Sequence, residues 1–200
     1  GDEVRKGAEG GGVAGARPGG GEEACQSRDT GPDPSLESPS YDAVKAARRL
    51  LEVPEQKKFT GYIALQAGAS EDRRRWPEEH FAALGDRIWR EAGLCPVLLG
   101  SSGEKDLAAR VADRMEAPAI NLAGRTSLEE LGAVLLECRL LVSNDTGTLH
   151  LAAGLGMPVL GIFLATAQPW DTGPYRAGSC SLEPDMPCHP CAFGKVCLNE

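Results

Sequence analysis

The residues richest in chemistry fall in one short run, Asn144-Asp145-Thr146-Gly147-Thr148-Leu149-His150. Gly147 lets a ligand approach the backbone closely. With a helix starting near Thr148, the amides of Thr146, Gly147 and Thr148 gather at its N-terminus, where unpaired N–H groups and the helix dipole attract an anion. The Thr146 hydroxyl adds a donor, and His150 lies early in the helix beside the same opening. Asp145 can accept from sugar hydroxyls or from the loop's own amides. Taken alone, the run also reads as an ordinary cap, with Asp145 holding the helix and His150 a satisfied surface residue.

Two further runs carry similar potential. Gln66 to Pro77 holds Ser70 and three consecutive arginines, Arg73, Arg74 and Arg75, ahead of Trp76-Pro77. Guanidinium forks suit a diphosphate, although a charge run beside Glu71 and Asp72 is more often a solvated turn. Gly100-Ser101-Ser102-Gly103-Glu104 offers small residues for close approach and a carboxylate for a ribose or base. Its plainer reading is a turn whose Glu104 supports the next helix dipole. No P-loop pattern and no GxSxG nucleophile elbow occurs.

These runs sit between segments of alternating type. Ser40 caps a predicted helix over 41–51, with Val44, Ala47 and Leu51 on one face. Strands are predicted at 62–65, 96–99, 119–122, 140–142 and 158–163, the last being the final clear strand. Between them, Pro77 opens a helix with Phe81, Leu84 and Ile88 inward and Gly93 at its end. A helix spans Glu104 to Met115. Another is capped by Thr126 or Ser127, with Glu129 or Glu130 completing a capping box, and one runs from about Thr148 to Leu155. The strands are short and apolar without alternation, which means burial on both faces, as in a parallel sheet covered by helices. The expected fold is therefore α/β, doubly wound, over roughly residues 55–180. Ligands of such sheets bind beyond the strands' carboxyl ends, so the loops after Leu65, Leu99, Leu122, Val142 and Phe163 are the places for a site.

Composition narrows the class. The 200 residues carry a net charge of −8, against a nucleic-acid-binding surface. No stretch reaches the roughly 20 apolar residues that span a bilayer, and the start is acidic and Gly-rich, unlike a secretory signal; a soluble, cytoplasmic protein is expected. The first residue is not Met, which reads as a fragment or a processed product. Residues 1–40 contain ten Gly and four Pro, too little apolar surface to offset chain entropy, and are read as a disordered tail or interdomain insertion. Residues 41–200 form the domain, with a Cys-rich end over 180–200. Of seven cysteines, Cys188, Cys191 and Cys197 have partial zinc-ligand spacing. His189 or Cys180 would have to serve as the fourth ligand, or a residue beyond Glu200. Free thiols or a redox pair are the other readings.

The ordered set of these pieces resembles glycosyltransferase family 9, the ADP-heptose:lipopolysaccharide heptosyltransferase family. The match includes Ala67-Gly68-Ala69-Ser70, Arg74-Arg75-Trp76-Pro77, Leu99-Gly100-Ser101-Ser102-Gly103-Glu104, the 121–131 stretch, Asn144 to Ala153 with Gly156-Met157-Pro158, and Thr172-Gly173-Pro174-Tyr175. The resemblance implies a GT-B architecture of two Rossmann-like domains, of which this chain matches the C-terminal, donor-binding one. It implies that Ser70 and Arg74 hold the donor diphosphate; the family usually has Lys at the Arg74 position. It implies Glu104 on the nucleoside, Thr126 at the adenine, and Asp145, Thr146, Gly147 and His150 on phosphates and sugar. It further implies an inverting transfer without metal or other cofactor, from an ADP-sugar, with ADP-heptose favoured. The base would be an Asp in an N-terminal domain that also holds a lipid-linked saccharide acceptor, with at most peripheral contact at the inner face of the membrane. A silent nucleotide-sugar-binding module and a GT-B nucleotide-sugar epimerase are the alternatives.

Overall fold

The computed structural model describes residues 25–26, 32–33, 35–52, 59–174, 179–185, 189 and 191. Most of the segment 1–40 lies outside them. Of its described part, Asp33 donates its amide to the Gly154 carbonyl at 2.9 Å, and Leu36 packs against Gly154.

Strand β1 is Cys25–Gln26, followed by helix α1, Tyr41–Leu50. Strand β2 is Gly61–Gln66, α2 Glu78–Ala92, β3 Leu94–Leu99, α3 Lys105–Arg114 and β4 Ile120–Asn121. Then come α4, Leu128–Glu137, β5, Cys138–Asn144, α5, Gly147–Gly154, and β6, Val159–Ile162, with α6, Pro169–Thr172, and β7, Ser179–Leu182, closing the described fold. Local signals set the boundaries. Ser40 accepts from the Ala43 amide at the start of α1. Gly93, at φ 66°, ends α2 in the left-handed conformation that a side chain disfavours. Between the two candidate caps of α4 the structure selects Ser127, whose partner in the capping box is Glu130.

The seven strands run in the order β1-β7-β6-β5-β2-β3-β4. All neighbours are parallel except β1, which pairs antiparallel with β7. Counted from β2, the parallel strands follow the doubly wound Rossmann order, and the chain reverses direction across the sheet between β2 and β5. One core lies between the sheet and α1, α4 and α5, built on Ala47, Leu51, Val134, Leu135, Leu149 and Ala152. The other lies under α2 and α3, built on Phe81, Leu98, Leu107 and Val111. This double coverage explains why the central strands read as continuous apolar runs.

Two differences from the sequence expectation have physical causes. Phe163 does not end the sheet: β7 follows, and its Ser-Cys-Ser-Leu composition hides it, because only β6 and the two-residue β1 flank it and little apolar burial is demanded. Strand β3 begins at Leu94, before Pro96, because β4 starts opposite Val97; no ladder partner is lost on that side at the proline.

Candidate active site

A cleft of about 950 Å³ opens where the sheet reverses, over the carboxyl ends of the central strands, a volume suited to a nucleotide-sized ligand. The loops after β2, β3, β4 and β5 all contribute. Ser70, Glu104, Thr126, Asp145, Thr146, Gly147 and His150 line it together, although they come from four separate loops. Arg74 stands behind this lining and joins it through Asp145.

Asp145 is the hub of the loop after β5. Its side chain is 9% exposed and lies 3.7 Å from an Arg74 guanidinium nitrogen and 3.9 Å from His150 Nε2. The Thr172 hydroxyl donates to Asp145 Oδ2 at 3.2 Å, and Arg74 Nε donates to Thr166 Oγ1 at 2.8 Å. Asp145 therefore does not cap α5. The residue at the cap position, Thr146, makes no side-chain cap either. Its hydroxyl lies 3.0 Å from Ser143 Oγ. Ser143 Oγ also lies 2.6 Å from the Asn144 carbonyl, so both hydroxyls are engaged within this loop. Among the described residues no side chain accepts from the first amides of α5, the condition in which a helix N-terminus attracts an anion. A Cβ placed on Gly147 would meet no atom within 4 Å, so the protein itself does not require glycine there.

The opposite wall comes from β2 and β3. Glu104 closes a capping box with Ser101, accepting the Ser101 amide at 2.6 Å on Oε2, with Gln66 Nε2 3.4 Å from the same oxygen. Glu104 supports the turn that leads into α3, and it also lines the cleft. A Cβ on Gly68 would fall on the Glu104 carboxylate, so the position of Glu104 depends on glycine there. Of the three arginines, Arg73 pairs with Glu71, Arg75 bridges Asp72 and the Ala69 carbonyl, and only Arg74 reaches Asp145.

Several cleft residues escaped the sequence reading. Gln66 is the one polar residue at the end of an otherwise apolar strand, a visible signal. Leu128 is 74% exposed at the first position of α4 and forms an apolar wall with Leu131 and Leu151; a large apolar residue on the solvent side of a helix start marks it. Thr166, behind the lining, carries no local signal, and Thr172 enters only through the resembling piece Thr172-Gly173-Pro174-Tyr175; both gain importance by folding the chain after β6 back onto Arg74 and Asp145.

For the cysteine-rich end, Cys188 and Cys197 lie outside the described residues. Cys191 is a free thiol, and its amide donates to Ala165 at 2.8 Å. Cys180 is disulfide-bonded, which removes it as a fourth zinc ligand, and Cys25 stands opposite it in the β1–β7 ladder. His189 places Nε2 3.2 Å from Glu183. Among the described residues no group of three or more ligating side chains is arranged to hold a metal, and no helix is long and apolar enough to cross a membrane.

Residues 33–200 match the model of glycosyltransferase family 9 (heptosyltransferase). The chain is 34% identical over 139 residues to lipopolysaccharide heptosyltransferase 1 of Pseudomonas aeruginosa, covering 70% of this chain and 38% of that protein. It is 37% identical over 89 residues to lipooligosaccharide heptosyltransferase 2 of Haemophilus ducreyi, covering 42% of this chain and 25% of that protein. Among solved structures, a family 9 glycosyl transferase from Veillonella parvula superposes with a TM-score of 0.67 at 26% identity, over 74% of this chain and 42% of the other. E. coli heptosyltransferase WaaC, solved with ADP, gives a TM-score of 0.55 at 27% identity, over 68% of this chain and 42% of the other. The chain thus spans well under half the length of each of these relatives.

Proposed function

This chain belongs to glycosyltransferase family 9, and on that footing we propose that it is the donor-binding domain of a heptosyltransferase, covering residues 41–200. In this reading the enzyme moves heptose, or a related sugar, from an ADP-sugar to a lipopolysaccharide core acceptor at the cytoplasmic face of the inner membrane. The observation that carries the proposal is the cleft at the sheet's reversal point, where Asp145, Thr172 and the uncapped start of α5 converge, with Arg74 behind Asp145. Ser70, Arg74 and the α5 amides take the diphosphate, Glu104 and Thr126 the nucleoside, and Asp145 and His150 the sugar end.

Transfer with inversion needs three things: a base for the acceptor hydroxyl, a held anomeric carbon, and stabilisation of the departing diphosphate. The cleft supplies the last two. Arg74 and the helix start are positioned for negative charge that grows as the sugar–phosphate bond breaks, and neither role calls for a metal. We place the base outside these 200 residues, in the part of the relatives that the chain does not match. The deciding experiment is calorimetric titration of the chain with ADP-, UDP- and GDP-sugars. Tighter binding of the ADP-sugar is expected, and a preference for UDP or GDP would overturn the donor assignment.

A further inference from the structure

Asn144 is fully buried at the end of β5, and the hydrogen bonds of its side chain all go to another loop. Its Nδ2 donates to the carbonyls of Ala67 at 2.8 Å and Gly68 at 3.3 Å. Its Oδ1 accepts the Trp76 amide at 3.0 Å. One side chain thus grips both ends of the loop that follows β2, across the point where the sheet reverses. The next carbonyl, Ala69, is taken by Arg75 through Nη2 at 3.0 Å and Nε at 3.3 Å. Three consecutive carbonyls, 67 to 69, are therefore tied off by side chains. Among the described residues, no acceptor takes the amides of Gly68, Ala69 or Ser70, and Ala69 and Ser70 line the cleft.

We propose that Asn144 is a positioning residue for the diphosphate end of the cleft: it turns the carbonyls of the β2 loop away, so that the loop meets an anion with its N–H groups. The physical reason is the sign of the backbone dipoles. Free carbonyl oxygens beside a diphosphate repel it, whereas buried N–H groups without acceptors attract it. An amide side chain is the smallest group that can donate to two carbonyls and accept from an amide at once. Aspartate has nearly the same shape but presents only acceptors when ionised. Asn144 also couples the two phosphate-facing loops, because it is the immediate neighbour of Asp145. The nucleoside end, at Glu104 and Thr126, is carried by the loops after β3 and β4 and meets the clamped loop only where Glu104 lies against Gly68 and Gln66.

This inference rests on the ADP-sugar reading above, and its test separates the two. Dissociation constants for ADP and for adenosine are measured by calorimetry on the whole chain, for the unaltered protein, Asn144→Asp and Asn144→Ser, with thermal midpoints as the control for folding. The expected result is that Asn144→Asp weakens ADP by on the order of ten-fold or more while adenosine stays within about two-fold. Asn144→Ser keeps one small donor and falls between; it carries the comparison should the aspartate variant not fold. Equal losses on ADP and adenosine, or an unchanged ADP affinity, overturn the positioning role and leave the ADP site standing. An unaltered protein with no affinity for ADP removes both.

Discussion

At Gly147 the absence of a side chain has no structural beneficiary within the protein, because a methyl there would touch nothing. Alanine is also the better helix former, by up to about 1 kcal/mol. Gly147→Ala is therefore expected to leave the thermal midpoint unchanged or raised. At the same time it should weaken ADP by on the order of ten-fold, since the methyl occupies the space in front of the α5 amides. Calorimetry and a melting curve on one sample check both halves; full retention of ADP affinity would place the ligand elsewhere. Arg74 supports a graded prediction. Its Nε is fixed by Thr166 while another nitrogen approaches Asp145, two tasks that a single ammonium cannot divide in the same way. Arg74→Lys should cost a few-fold in ADP affinity and Arg74→Met roughly ten- to hundred-fold, corresponding to about 1.4–2.8 kcal/mol. Identical losses in the two variants would show that charge contributes nothing at this position.

At the scale of elements, what the sequence revealed and what it concealed follow from the reach of each interaction. Helix α2 was readable because its signals are local: Pro77 before it, Phe81, Leu84 and Ile88 along one face, Gly93 at its end. The loops after β2, β3 and β5 were readable as candidate site loops because each follows an apolar strand. Strand β7 was not, since Ser179-Cys180-Ser181-Leu182 has neither an apolar run nor alternation and is defined by pairing with β6. The Thr172–Asp145 bond spans 27 positions and the Arg74–Thr166 bond 92, distances over which no local pattern operates. Burial within elements makes its own prediction. Cys95 in β3 and Cys138 at the start of β5 have thiols pushed up by burial, to about 11 and about 12, so neither forms appreciable thiolate near neutral pH. In native protein at pH 8, both should resist a disulfide-exchange reagent, while the partly exposed Cys191 reacts. Unfolding in denaturant should release both, and mass spectrometry of the labelled peptides identifies each; prompt native labelling of Cys95 or Cys138 would contradict their burial.

Across the whole molecule, the two helical layers are tied on their outer surfaces by carboxylates that acid will silence. Glu78 at the start of α2 meets Arg110 of α3 through three hydrogen bonds, the shortest at 2.7 Å. That contact holds the Glu78 carboxyl below its usual range. On the other layer, Glu129 of α4 accepts the Ser40 amide at 2.9 Å, and hydrogen bonds from Ser40 lower its pKa as well. A carboxyl with a folded-state pKa below its unfolded value binds protons more weakly when folded. Its contribution is complete above the unfolded value, near 4.3 for Glu, and disappears as pH falls through the folded value. Both contacts lie at the surface, so each is small. Glu78→Gln and Glu129→Gln should each lower the thermal midpoint at pH 7 by no more than about 2 °C. The difference from the unaltered protein should shrink below pH 4.5 and be gone by about pH 3. Because the contacts sit on opposite faces of the sheet, the double variant should lose the sum of the two. A deficit that persists undiminished at pH 3 would mean that these glutamates act through packing and not through charge.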